Sequence, residues 1–207
     1  MHTALRATSE TLRLFLQAQL EAAPDLKTLF DASLGGTMAV SLATPEEMAD
    51  ATLTGLSVWL YRVVRDEDRL NDPPRRVSRD QLRPPPLPLR LHYLITPINT
   101  PGSSPGAGTE QVILGKVLQV FHDQPRLAGS DLSDDFVGTE VELRVRLETM
   151  SLEEITRVWD ALEGSYQLSV SYEVTIVDID SALQPERVAP VVTATPEYMV
   201  RAEVPTP

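Results

Sequence analysis

The chain has 207 residues, of which 42% are hydrophobic and 23% are charged, and it contains no cysteine. This composition predicts one folded domain with long appendages, and it excludes disulfides and cysteine-based metal or catalytic sites. The absence of cysteine also suits a reducing cytoplasm. A net charge of −12 makes nucleic acid and anionic lipid unfavourable partners.

The first predicted element is a helix from about residue 3 to residue 22, where apolar side chains recur at helical spacing until Pro24. A short apolar alternation around Val40 then predicts a strand. The sequence Thr44-Pro45-Glu46-Glu47 has the form of a capped helix start, with a side-chain cap, a proline in the first turn and a glutamate three residues on. We expect this helix to last only a turn or two.

The segment from Gly55 to Val64 predicts a strand with two apolar faces. The residues of the two faces are Leu56, Val58 and Leu60 on one side, and Trp59, Tyr61 and Val63 on the other. A strand that is apolar on both sides needs cover on both sides. We therefore expect one face to pack on the core and the second to lie under a helix, a long loop or a partner.

Residues 66–86 form an arginine- and proline-rich segment, with five arginines from Arg69 to Arg83 and proline clusters at 73–74 and 84–86. Prolines lack a backbone donor and favour an extended chain, so the segment predicts a projecting arm rather than part of a sheet. Connections of this length are usually functional or disordered. A solvated surface loop is the simpler interpretation.

The arm gives the chain an uneven distribution of charge. The window from Arg62 to Arg90 holds eight arginines and five acids, a balance of +3, which leaves −15 on the remainder. A basic loop on an acidic body is one way to make a surface complementary to another copy of the same chain.

The second half of the chain predicts three strands and two helices. Strands are expected at 87–96, 141–147 and 168–179, from their alternation of apolar and polar residues, and a helix at 110–122. In the last strand we expect Ile176 on the same face as Tyr172 and Val174.

A capping box, Ser151-Leu152-Glu153-Glu154, opens the other helix, which Gly164 ends. The apolar residues that we expect this helix to bury are Leu152, Ile155, Trp159 and Leu162.

This order of elements predicts an α+β fold, a single domain in which a mixed or mostly antiparallel sheet of about four to five strands packs against helices. We expect the domain to span residues 1–183, with the arm at 66–86 and a flexible loop at 100–109. An extended proline-rich tail at 184–207 would follow it.

No motif nominates a catalytic residue, a cofactor or a metal site. The glycine-rich loop before the helix at 110–122 lacks the Lys-Ser/Thr pair of phosphate-binding loops. His2, His92 and His122 are far apart, and a hydrogen-bonded structural role is the simpler interpretation of the last two. Asp178 and Asp180 are candidates for a cation, although acids at strand ends commonly serve only solubility.

Four blocks of the sequence together resemble one protein family. They are Leu56-Ser57-Val58-Trp59-Leu60-Tyr61-Arg62-Val63, Leu87 to Thr96, Glu110 to His122, and Met150 to Val174. In these blocks and their order, over about residues 4–183, the chain resembles the tail-terminator, or cap, proteins of phage-tail-like contractile injection systems. The systems are those of the virulence-cassette and antifeeding-prophage type.

The resemblance implies a non-enzymatic structural protein without a cofactor. Such a protein forms a hexameric ring that closes the end of the inner tube and the sheath, stops polymerisation and anchors the last sheath layer. Its partners are copies of itself and the sheath and inner-tube proteins, with no nucleic acid and no membrane insertion. It would assemble in the cytoplasm and become part of a particle that can be released from the cell.

We expect six residues to contribute to contacts with neighbouring subunits or the sheath: Arg75, Arg76, Arg79, Arg83, Trp59 and Tyr61. The alternative function is that of a monomeric or dimeric adaptor that binds a protein partner through the proline-rich arm and tail. An enzyme that uses the glycine loop or Asp178 and Asp180 is the least favoured interpretation.

Overall fold

A computed structural model describes residues 2–99 and 106–188, which divide into two units. The larger unit comprises the described residues of Met1–Asn71 and Pro86–Asp180, and the smaller unit those of Asp72–Pro85 and Ser181–Pro207. Most of the predicted flexible loop, residues 100–105, and the tail from residue 189 lie outside the described residues. In the described part, no helix combines the length and the apolar composition that crossing a membrane requires.

The helices and strands follow the predicted order, with a few short additions. The helices are α1 (Ala4–Ala22), α2 (Lys27–Phe30), α3 (Pro45–Asp50), α4 (Ala107–Asp123) and α5 (Leu152–Ala161). The strands are β1 (Ala39–Ser41), β2 (Gly55–Arg65), β3 (Arg75–Ser78), β4 (Gln81–Arg83), β5 (Leu87–Ile98), β6 (Arg126–Ala128), β7 (Glu142–Leu147), β8 (Val170–Ile179) and β9 (Glu186–Arg187). Both predicted capping boxes form, at Thr44 and at Ser151.

The larger unit is built on a six-stranded sheet with the order β1-β2-β5-β8-β7-β6. Strand β1 pairs with β2 in parallel, and the other neighbours are antiparallel. This mixed sheet with its helices confirms the predicted α+β class. The strand predicted around Val40 forms as β1. The sheet has one strand more than the upper end of the expected range, because β6, at three residues, is too short to give a clear period in the sequence.

The main core lies between one face of the sheet and helices α1 and α4. Its buried residues from the helices include Leu12, Leu16, Leu20, Ile113, Val117 and Phe121, and those from the sheet include Val58, Leu91, Tyr93, Leu143 and Val174. Each large apolar side chain that is buried contributes about 1.5–3 kcal/mol. The predicted apolar faces of both helices therefore supply the main stabilisation of the unit.

Helix α5 covers part of the opposite face of the sheet. Ile155 and Trp159 pack there with Leu94, and Trp59 and Tyr61 of β2 are partly buried against the same cluster. A helix thus covers Trp59 and Tyr61 on the second face of β2. Val63, expected on the same face, is 44% exposed and follows a register shift between Leu60 and Arg62. The expected burial of Leu152 is wrong, since this residue lies in the first turn and its exposed fraction is 70%. Ile155 and Trp159 are buried as expected, and Leu162 is partly buried.

A β-bulge in β8 corrects the predicted placement of Ile176. Val174 pairs with Leu91 and Val177 pairs with Leu89, so two residues of β8, Thr175 and Ile176, lie opposite a single residue of β5. The extra residue turns Val177 rather than Ile176 into the core. Ile176 itself has a φ of 67°, which is strained for a β-branched side chain.

The smaller unit corrects the prediction of an arm without sheet structure. Strands β3 and β4 form an antiparallel hairpin, and β9 pairs with β4 to give a three-stranded sheet. The proline clusters at 73–74 and 84–86 lie outside the strands. Because the residues between the clusters keep their backbone donors, they pair as a hairpin.

A buried polar network lies beside the α5 cluster, on the same face of the sheet. His92 Nδ1 lies 2.9 Å from Glu148 Oε1, Ser171 Oγ donates to Glu148 Oε2 at 2.5 Å, and the Tyr61 hydroxyl lies 3.0 Å from Ser171 Oγ. Burial raises the pKa of Glu148, but hydrogen bonds from His92 and Ser171 outweigh it and hold the pKa below its ordinary value.

We predict that Gly55→Ala lowers the free energy of unfolding by about 2–3 kcal/mol. Gly55 has a φ of 137°, and a Cβ there would lie 2.1 Å from the carbonyl oxygen of Ala39, its partner in β1. Urea denaturation measures the change. The control is Gly115→Ala, at an exposed position of α4 where a Cβ meets nothing, which should stabilise by up to about 1 kcal/mol. Equal effects of the two substitutions would contradict the close approach of β1.

We also predict that Glu148→Gln destabilises the protein by about 1–2 kcal/mol near neutral pH. Because the folded pKa is depressed, the carboxylate stabilises fully above its ordinary value of 4.5, and this contribution disappears as the pH falls through the folded pKa. Denaturation curves at several pH values should show the two proteins converging in acid. Glu153→Gln, at a side chain that is 76% exposed, serves as control; a pH-independent gap would refute the network's role.

Candidate interaction surfaces

The four arginines predicted to make contacts lie on the hairpin of the smaller unit, which we call the cationic hairpin (residues 75–83). Arg75 and Arg83 are directly opposite each other across the ladder, and Arg76 donates to the carbonyl oxygen of Arg79 at 2.7 Å. All four arginines are exposed. Like charges that lie directly opposite each other on neighbouring strands destabilise a hairpin.

Trp59 and Tyr61, the other predicted contact residues, lie next to each other in β2 with ring centroids 6.0 Å apart. Both are half-buried in the cluster under α5. Burial raises the pKa of Tyr61, while its hydrogen bond with Ser171 lowers it in part. Only the exposed portion of each ring is therefore available to a partner.

An ionic cleft of about 640 Å³ opens where the β8 bulge lies. Arg90 donates to the carboxylate of Asp66 at 2.6 Å and to that of Asp68 at 2.5 Å, and these hydrogen bonds raise the pKa of Arg90. The buried Glu173 carboxylate lies 3.3 Å from Arg146 and 3.8 Å from Arg90. This cleft could not be predicted from the sequence, because Asp66 and Asp68 are more than twenty residues from Arg90.

The hypothesis of a cation at Asp178 and Asp180 loses its support in the structure. The Asp178 carboxylate accepts two hydrogen bonds from the Arg69 guanidinium, at 2.8 and 3.1 Å. Such a bidentate pair neutralises the carboxylate, so Asp178 already has a cationic partner.

One group of potential metal ligands, His92, Glu148 and Glu173, has ligand atoms within 4.8 Å of one another. Two guanidinium groups already balance the charge of Glu173, and both oxygens of Glu148 accept hydrogen bonds. His92 Nε2 is buried without a partner in the described chain, but it lies across the ring from the Nδ1 that meets Glu148. We therefore interpret the group as part of the ion-pair network.

The structural role predicted for His92 is confirmed by its contact with Glu148. The same role for His122 is wrong, since this side chain is exposed and makes no hydrogen bond with any described residue. His122 lies in the last turn of α4, at an exposed position.

An apolar groove of about 640 Å³ lies between the end of α4 and β7. The residues that line it are Leu118, Gln119, Phe121, His122, Pro125, Val145, Arg146, Leu147 and Tyr172. The alternation of β7 predicts a buried Leu147, but its exposed fraction is 49%. This surface could not be predicted from the sequence. Leu147 lies on the core face of β7, and it is exposed because the neighbouring elements end before they reach it.

Two solved structures have a fold similar to that of this chain. One is the sheath/tube terminator of PVC, an extracellular contractile injection system, in its extended state, with a TM-score of 0.58, 18% identity, and coverage of 95% of this chain and 63% of that chain. The other is the tube-terminating cap of the anti-feeding prophage, with a TM-score of 0.52, 18% identity, and coverage of 87% and 62%.

At this level of identity the two structures establish a shared fold. The chain spans less than two thirds of the length of either protein. No curated protein gives a significant match.

The family comparison covers most of the sequence. The model of the Pvc16 N-terminal domain matches residues 7–193. This match and the two structures confirm the resemblance to tail-terminator proteins that the four sequence blocks indicate. The chain belongs to the Pvc16 N-terminal domain family.

Proposed function

We propose that this protein is a structural subunit that terminates the tube and sheath of a contractile injection particle. The observation that carries the proposal is the Pvc16 N-terminal domain over residues 7–193, in a fold shared with a sheath/tube terminator and a tube-terminating cap. In this role the protein closes the inner tube, stops polymerisation and anchors the last sheath layer. It assembles in the cytoplasm and leaves the cell only as part of the particle.

The proposed assembly is a hexameric ring. A ring forms when one patch on each subunit binds a different patch on the next subunit. If the rotation between neighbouring subunits brings the last subunit back to the first, the ring is closed and growth ends. The charge distribution supports two such patches: residues 72–85 carry four arginines and two aspartates, a balance of +2, on a chain of net charge −12. A basic patch on one subunit can therefore meet an acidic surface on the next.

The ionic cleft supports a structural role rather than catalysis. Arg90 is held by Asp66 and Asp68, and Arg69 is held by Asp178. The charged groups of the cleft are thus engaged with one another. The cleft thus works as a rigid brace between β5, β8 and the turn after β2.

Within the ring, we assign the contacts to the cationic hairpin, with Arg75, Arg76, Arg79 and Arg83 facing acidic groups of a neighbouring subunit, the sheath or the tube. The exposed portions of Trp59 and Tyr61 add apolar area to such a contact. Charged groups at the rim of an interface mainly affect the association rate and its salt dependence. The contact is therefore expected to weaken as ionic strength rises.

The purified protein should form a species with six times the mass of one chain, either alone or on the open end of a tube. Light scattering gives the mass, and negative-stain images show whether the species is a ring. A protein that is monomeric at every concentration and does not bind tube ends would contradict the proposed function.

Replacing Arg75, Arg76, Arg79 and Arg83 together with serine should leave the subunit folded and weaken ring formation by about tenfold or more, since several charge pairs are lost. Sedimentation at two salt concentrations measures the effect, which should shrink at high salt. The control replaces four exposed arginines outside the hairpin, Arg6, Arg62, Arg65 and Arg157, with serine. Equal weakening by both variants would point to net charge alone, and no weakening would remove the hairpin from the interface.

A further inference from the structure

A cleft of about 470 Å³ lies between α3 and the turn that follows α5, and we call it the acidic cleft. Its lining holds the carboxylates of Glu46, Asp50 and Glu163, and the described residues that line it include no lysine or arginine. A Cβ on Gly164 would lie 2.5 Å from Oε1 of Glu46. The absence of a side chain at Gly164 thus leaves room for this carboxylate beside the turn.

The three carboxylates of the acidic cleft have no cationic partner in the described part of the chain. None of them accepts a hydrogen bond or forms an ion pair there. Other acids at the surface do have such a partner, since Glu153 pairs with Arg157 and Asp134 pairs with Arg6. Unpaired like charges that share a cleft repel one another, and a cation that enters it reduces this repulsion.

The spacing of the carboxylates favours several cationic groups over a single metal ion. The ligands of a metal ion converge on one point, and the three carboxylates do not all lie within 4.8 Å of one another. A guanidinium group is larger and planar, and it carries five N–H donors. Ser165 and Gln167, which also line the cleft, add side-chain oxygens that accept hydrogen bonds from such donors.

The cationic hairpin carries groups of this kind. The side chains of Arg79 and Arg83 are exposed, and neither guanidinium group donates a hydrogen bond within the described chain. Arg75 lies directly opposite Arg83 across the ladder. Side chains that are opposite in this way share one face of the sheet, with their Cβ atoms about 5 Å apart. The hairpin therefore presents arginines at neighbouring positions, as a cleft with several separate carboxylates requires.

We propose that the acidic cleft binds the cationic hairpin of a second copy of the chain, with Arg79 and Arg83 facing Asp50 and Glu163. The proposal rests on the proposed function, since it names the surface that the hairpin contacts on the next subunit of the ring. The cleft and the hairpin are different surfaces, so each copy has two neighbours, as a head-to-tail ring requires. Salt weakens the contact, because it screens the charges.

Charge reversal in the full chain tests this contact. One variant carries Asp50→Lys and Glu163→Lys, and the other carries Arg79→Glu and Arg83→Glu. In either variant alone, like charges meet across the contact, so self-association at low salt should be at least about tenfold weaker than that of the wild type. In a one-to-one mixture, opposite charges meet at both contacts between the two variants. The mixture should therefore associate at least about tenfold more tightly than either variant alone, as sedimentation velocity measures.

A matched control separates the acidic cleft from net charge. The variant with Asp25→Lys and Asp123→Lys changes the charge of the chain by the same amount, at two exposed acids outside the cleft that have no partner in the described chain. It should self-associate as the wild type does. Circular dichroism shows that each variant is folded. Equal weakening by the control and the cleft variant would attribute the effect to net charge and overturn the proposal.

The mixture gives the decisive result. If folded variants associate no more tightly together than alone, the proposal is wrong, and loss of tube binding by the cleft variant would then assign the cleft to another basic partner. A hexamer that persists in both variants would keep the proposed function and refute this contact. Restored association in the mixture, with a wild type that does not bind tube ends, would keep the contact and refute the function.

Discussion

The structure depends on strand β5, which is hydrogen-bonded on both edges and buried on both faces. It pairs with β2 on one side and β8 on the other, and its residues from Leu91 to Ile98 are all buried. One face carries Leu91, Tyr93 and Ile95 into the main core. The other carries Leu94 under α5, so that both layers of helices are anchored on the same strand.

On the second face of the sheet, the chemical type of the side chains changes along β5. It is apolar at Leu94, hydrogen-bonded at His92 and ionic at Arg90. Because every second residue of a strand points to the same face, these three side chains lie in a row along β5. The β8 bulge lies opposite Arg90, where the extra residue bends the strand and increases its local twist.

The two candidate contact surfaces of the protein differ in their physical basis. The cationic hairpin presents charge on a small sheet and suits a salt-dependent contact with an acidic surface. The groove beside β7 presents the half-exposed Leu147 with Phe121 and Tyr172, and suits an apolar contact. Surfaces of different chemistry can distinguish different partners.

The sequence by itself determined the elements whose pattern is local. The periodicity of apolar residues and the capping residues predicted most of the regular structure. They predicted helices α1, α4 and α5, the capping boxes at Thr44 and Ser151, and strands β2, β5, β7 and β8. The α+β class and the family follow from their order. These features are decided within about ten residues, where period and propensity act.

Only the tertiary structure decided which side chains meet. The bulge at Ile176, the pairing of Arg90 with Asp66 and the exposure of Leu147 each depend on residues that are distant in sequence. The hairpin at 75–83 shows the same limit, since its pairing with β9 joins segments about a hundred residues apart. Period identifies the inward face of a strand, but burial also requires that a neighbour be present there, and that is a property of the assembled sheet.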